Sequence, residues 1–177
     1  MTNVELLRQE ADFAYGELET ALDGVDERQA WAKLPNLGPD YLHTDATIYG
    51  ITLHIASTKF MYASLSFNDS ELRWRDIAER LDAFEPGWQA ALGFLREGHE
   101  YWMRSWAELD DEALLQEVPH FSGRVWPIWQ SIRTMNHHDA WHGGQIVMLR
   151  YGVAESGQKP ESVAEDIREH CVNLPSW

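Results

Sequence analysis

Apolar residues recur along this chain at steps of three and four rather than two, so the elements it predicts are helices. Thr2 and Glu5 make a capping box, and Leu7, Ala11, Ala14, Leu18 and Leu22 extend a first helix to about Asp23. Gly24 ends it, residues 26–34 predict a short helical turn, and Pro35-Asn36-Leu37-Gly38-Pro39 breaks any regular element. A second helix is expected from Thr44 or Asp45 to about Phe67. Its inward face is Ile48, Ile51, Ile55, Thr58, Tyr62 and Leu65, with Thr47, His54 and Met61 in the adjoining row. Asn68-Asp69-Ser70 reads as a turn, and residues 71–81 as a short charged connecting helix. From Pro86, a favoured first helical residue, Trp88, Leu92, Leu95, His99, Trp102, Trp106 and Leu109 keep the helical step without a miss. Residues 110–118 predict one more short helix and 119–125 an irregular or extended link. Residues 127–150 form a fourth long helix, closed by Gly152. Beyond it, 154–160 is expected to be a loop and 161–171 a last helix.

Four long amphipathic segments with short linkers predict an all-α fold. The expectation is a four-helix bundle, up-and-down or crossed, with short additional connecting helices in one domain over 1–177. No internal repeat, low-complexity tract or strand-rich region interrupts the pattern. Charge narrows the partners: 14 Lys plus Arg against 29 Asp plus Glu leave −15, a field that repels phosphate backbones and anionic lipid surfaces. Nucleic acid and membrane are therefore not expected, and a small-molecule substrate is. With no apolar stretch of membrane-spanning length and no basic, apolar leader after Met1, the expected location is the cytoplasm. The single Cys171 forms no internal disulfide, in keeping with that compartment. Nine tryptophans, several on inferred core stripes, supply apolar area to a small bundle.

The candidate chemistry lies on the fourth helix. Eight histidines in 177 residues give roughly 0.4 chance pairs at any one separation, so the four-residue spacing of His138 and His142 is weak evidence by itself. Their setting is stronger evidence: Ile128, Ile132, Met135, His138, His142, Ile146 and Leu149 form one apolar stripe. A buried imidazole needs a partner for each ring nitrogen, and a metal ion satisfies one nitrogen of each. The competing reading is a pair of core histidines bonded to backbone or water. His54 lies beside the inward seam in the middle of the second helix, where it can meet the middle of the fourth. The expectation is that His54, His138 and His142 converge as metal ligands. His99 also points inward and reads first as a core histidine, with a fourth-ligand or supporting role as the alternative. Asp139 is turned about 100 degrees from His138, which gives it a supporting or surface role rather than that of a base. Gln145, one turn past His142, can orient a ligand, and Asn136 and His137 fall at a rim or in solvent.

The motifs Leu53-His54-Ile55 and His138-Asp139-Ala140-Trp141-His142-Gly143-Gly144-Gln145, set in four helical segments, resemble the DinB/YfiT-like metalloenzyme superfamily over most of the chain. The resemblance implies a helical bundle in which His54, His138 and His142 bind one divalent cation with water completing the site, and frequent homodimers. It does not imply DNA binding. Trp141 stands where relatives often carry another histidine, and Gly143 replaces a common arginine, which alters the polarity of the pocket. Characterised relatives include transferases and isomerases that use low-molecular-weight thiols.

Three neutral imidazoles would leave a cation its full charge and an open position, as in catalytic zinc sites. A water there ionises near pH about 7, and a thiol ionises in the same way. Imidazole suits zinc, nickel, iron and copper alike; the expected ion is zinc or nickel, with iron or copper as the alternative. The expected function is a metal-dependent thiol transferase or hydrolase, the alternative being a non-enzymatic sensor or carrier of a metal or small ligand. His-Asp-Ala-Trp-His echoes the zinc-protease helix but has Asp for Glu and lacks strands to bind a peptide. A di-iron bundle would need paired Glu-x-x-His motifs, and none is present.

Overall fold

A computed structural model describes residues 1–33, 44, 46–83, 86–151 and 155–156. The protein is mostly helical, with four long helices: α1 (Asn3–Leu22), α3 (Ile48–Phe67), α5 (Trp88–Ser105) and α6 (Ile128–Tyr151). Two short ones, α2 (Glu27–Ala30) and α4 (Trp74–Asp82), lie in the connections. The predicted capping box opens α1, where Thr2 Oγ1 accepts from Glu5 N and Glu5 Oε2 accepts from Thr2 N. Thr47 rather than Thr44 caps α3, its hydroxyl accepting from Gly50 N at 2.9 Å.

α3 departs most from its expected character. It is buried on every face, with only His54 and Phe67 partly exposed, because Lys59 is its one charged residue. Two of its threonines bond within the helix, Thr52 Oγ1 donating to Ile48 O and Thr58 Oγ1 to His54 O, each at 2.8 Å.

Contacts along the helices set their directions. Asn136 lies near Leu7, Gly143 against Leu18, and Arg150 donates to the Ala21 carbonyl, so α1 and α6 run the same way. Gly98 lies against Ala56, and Asn68 Nδ2 donates to Tyr101 and Ser105, so α5 runs with α3. α3 opposes α6, since His54 meets His142 while Lys59 meets Asp139. The closely packed pairs are α1 with α6 and α3 with α5, and α3 meets α6 more loosely. Apolar side chains gather in two clusters. α6 contributes Ile128, Ile132 and Met135 to one and Ile146 and Leu149 to the other, and the residues between, 138–142, belong to neither.

Several expectations change. Helix α5 begins at Trp88 behind Gly87 rather than at Pro86, and it ends at Ser105, four residues short of Leu109. In place of a helix over 110–118 there is one turn of 3-10 helix, Ala113–Leu115. The expected link over 119–125 is the tip of a hairpin, β2 (Glu117–Pro119) antiparallel to β3 (Val125–Pro127). His120 stacks on Trp126 at 3.4 Å, and its Nε2 lies 2.9 Å from the Tyr62 hydroxyl, which fastens the hairpin to α3. Within the expected tail loop, β4 (Glu155–Ser156) pairs with β1 (Ala32–Lys33). The breaks at 35–39, Asp45, Gly152 and the helix over 161–171 with Cys171 lie outside the described residues.

Candidate metal centre

His54 on α3 and His138 and His142 on α6 meet where the two helices face each other. The Nε2 atom of His138 lies 3.0 Å from that of His54 and 3.1 Å from that of His142, and one ring nitrogen from each of the three falls within 4.8 Å of the others. This is the convergence expected from the helical spacing, and among the described residues these three form the group able to hold a metal ion. Nitrogens sharing one zinc at bonds of 2.0–2.1 Å stand about 3.3 Å apart, so the two shorter separations are already close to ligand spacing.

The protonation pattern favours a cation in the middle. Gln145 Oε1 lies 2.7 Å from His142 Nδ1. An amide oxygen only accepts, so Nδ1 carries the proton and Nε2 presents its lone pair to the centre. Burial lowers the His142 imidazole to about 4, against the opposing bond to Gln145. Burial, then His142, His54 and Lys59, hold His138 well below the usual value for histidine. Both rings are therefore neutral at neutral pH. His138 Nε2 has at most one proton to give and two imidazole nitrogens within reach, whereas one cation accepts from all three at once. The chain's own donor set thus fits a divalent ion. His142 is 1 % exposed, whereas His54 and His138 each keep an edge toward solvent.

A second set of polar groups, contributed by all four long helices, lies beside this centre. Lys59 Nζ of α3 donates to Asp139 Oδ2 of α6 at 2.6 Å, with the two side chains 1 % and 3 % exposed. Tyr15 of α1 has the Lys59 ammonium 5.5 Å from its ring centroid and stacks on His99 of α5 at 3.5 Å and 4°. Burial, then Lys59, lowers His99 to about 3, so it stays neutral. Burial and the nearby Glu19 and Asp139 carboxylates raise the Tyr15 phenol. His99 is therefore an inward histidine outside the triad, stacked rather than ligating, and its Nδ1 is buried without a hydrogen bond. Asp139 is not a surface residue. Lys59, which the helical pattern passed over, is its partner; one cation on an otherwise uncharged helix was the signal available. Asn136 is buried beside Leu7 and His137 is exposed. Trp141 is 57 % exposed and lies against His142 with ring centroids 5.4 Å apart.

Between α1 and α5, which are not one of the closely packed pairs, is a cavity of about 360 Å³ walled by Leu22, Trp88, Leu92 and Leu95, with Glu19 and Arg96 at its edges and Tyr15 among its lining. None of the three clustered histidines lines it. In comparison with known proteins, the chain matches no protein-family model and no curated protein sequence. No described helix is long and apolar enough to cross a membrane.

Proposed function

We propose that this protein is a divalent-metal-dependent enzyme acting on a small molecule, a thiol-dependent transferase or a hydrolase, built as a DinB/YfiT-like four-helix bundle over 1–177. The observation that carries the reading is the convergence of three histidine Nε2 atoms at the one place along α3 where a mid-helix residue reaches solvent. A structural metal site is closed by four protein ligands, whereas three neutral imidazoles beside a solvent-facing edge leave room for a substrate. His54, His138 and His142 would hold the ion, zinc or nickel before iron or copper, and the ion would supply Lewis acidity that ionises a water or a low-molecular-weight thiol near neutral pH. Gln145 holds the His142 ring in the tautomer that ligation needs.

The test is metal analysis after dialysis against trace zinc, followed by assay with thiol acceptors and hydrolysable esters. The expected result is one ion per chain, lost together with turnover in His54→Ala, His138→Ala and His142→Ala. Stoichiometric metal that survives all three substitutions overturns the site. Metal-dependent binding of a partner without turnover replaces the enzyme with a sensor. The homodimer implied by the resemblance belongs to this proposal and is checked by sedimentation velocity.

A further inference from the structure

The two helices that bring the three histidines together share a smaller contact than the pairs α3–α5 and α1–α6. α3 packs closely on α5 and α1 on α6, while α3 meets α6 more loosely. His54 and His138 are 84 residues apart in the chain, and their Nε2 atoms must nevertheless be held 3.0 Å apart. Some contact between α3 and α6 has to set that spacing. Beside it stands the ion pair of Lys59 and Asp139, five residues past His54 and one past His138.

We propose that Lys59 and Asp139 are positioning residues of the metal centre, their buried ion pair fixing the separation and register of α3 and α6 so that the three imidazoles stand ready for the ion. This rests on the metal reading above. A buried pair is a poor source of net stability, because desolvating two charges offsets most of their attraction. Net stability is therefore a weak account of a pair 1 % and 3 % exposed. Geometry supplies another. A salt bridge of 2.6 Å has a narrow range of lengths and directions, whereas apolar contact is non-directional. The Tyr15–His99 stack borders the ammonium, so α1 and α5 help to exclude water from the pair.

The experiment uses the full chain, with zinc affinity from competition against a chromophoric chelator and ligand geometry from the visible spectrum of bound cobalt(II). In Lys59→Met/Asp139→Leu, which replaces the pair by apolar groups of similar size, the fold persists by circular dichroism. Zinc binding weakens about 10- to 100-fold and the cobalt spectrum changes, although all three histidines remain. If that variant does not fold, Asp139→Asn, which keeps shape and one hydrogen bond, should weaken zinc about threefold or more. A folded variant with wild-type affinity and an unchanged cobalt spectrum overturns the positioning role. A wild-type chain that takes up no stoichiometric zinc overturns the metal reading instead, so the two failures are distinct.

Discussion

Replacing Gly98 with alanine should destabilise the protein, while the same change at Gly144 should stabilise it. A Cβ at Gly98 would stand 2.9 Å from the Ala56 carbonyl oxygen and 3.3 Å from both Ala56 Cα and the Phe60 ring. The nearest obstacles are backbone atoms of α3, so the two helices must move apart by several tenths of an ångström. Overpacking of this kind costs about 1–3 kcal/mol. The higher helix propensity of alanine returns about 1 kcal/mol, which leaves Gly98→Ala less stable by up to about 2 kcal/mol. At Gly144 nothing lies within 4 Å of the added atom, so the propensity gain stands alone. The propensity gain is common to both, so the two variants should differ by the overpacking cost, about 1–3 kcal/mol, or roughly 2–12 °C in Tm for a chain of this size. Urea unfolding of the metal-free proteins, followed by circular dichroism, measures the difference. Because Ala56 is two residues from His54, Gly98→Ala should also weaken zinc binding. A Gly98→Ala variant as stable as Gly144→Ala would refute the close approach of α3 and α5.

The other predictions concern the site and its surroundings. Lys59→Met alone strands a buried carboxylate and should cost about 3–5 kcal/mol, most of it recovered in the double variant with Asp139→Leu, as chemical denaturation will report. Gln145→Leu removes the acceptor of the His142 Nδ1 proton and should lower zinc affinity about 10- to 100-fold in chelator competition. His142 is lowered to about 4 and His99 to about 3 in the folded chain, so the unfolded chain binds more protons between those values and about 6.5. Stability of the metal-free protein is then complete above pH about 6.5 and falls with acidification toward pH 3–4; a flat pH profile across that window in urea midpoints would contradict the buried neutral rings. Zinc at a hundredfold excess over its Kd should add about 2.7 kcal/mol of stability, removed again by chelator.

What the chain disclosed in advance depended on range. His138 and His142 are one turn apart on an apolar stripe, so local periodicity alone places them together, and His54 follows from its mid-helix position. The capping box of α1 is equally local. Lys59 was hidden because its partner is 80 residues away, and a lysine at a core position is legible only beside the carboxylate that holds it. The burial of α3 on every face escaped a stripe-based reading because Thr52, off the inward stripe, counts as polar, although its hydroxyl is spent on its own helix. The hairpin was obscured by strands of three residues that carry Pro119 and Pro127, and its anchor, His120 against Trp126 and Tyr62, is tertiary.

The meeting of α3 with the distant and opposed α6 has an outcome for the order of events in the cell. A ribosome-bound chain that has emerged only through α5 offers one imidazole of the triad, His54, and even the complete α6 supplies no more than a two-nitrogen clasp until it lies down antiparallel to α3. Tight uptake of an ion by the proposed triad would thus follow the meeting of α3 and α6, and a loaded molecule would certify that imidazoles 84 residues apart in the chain had already found each other.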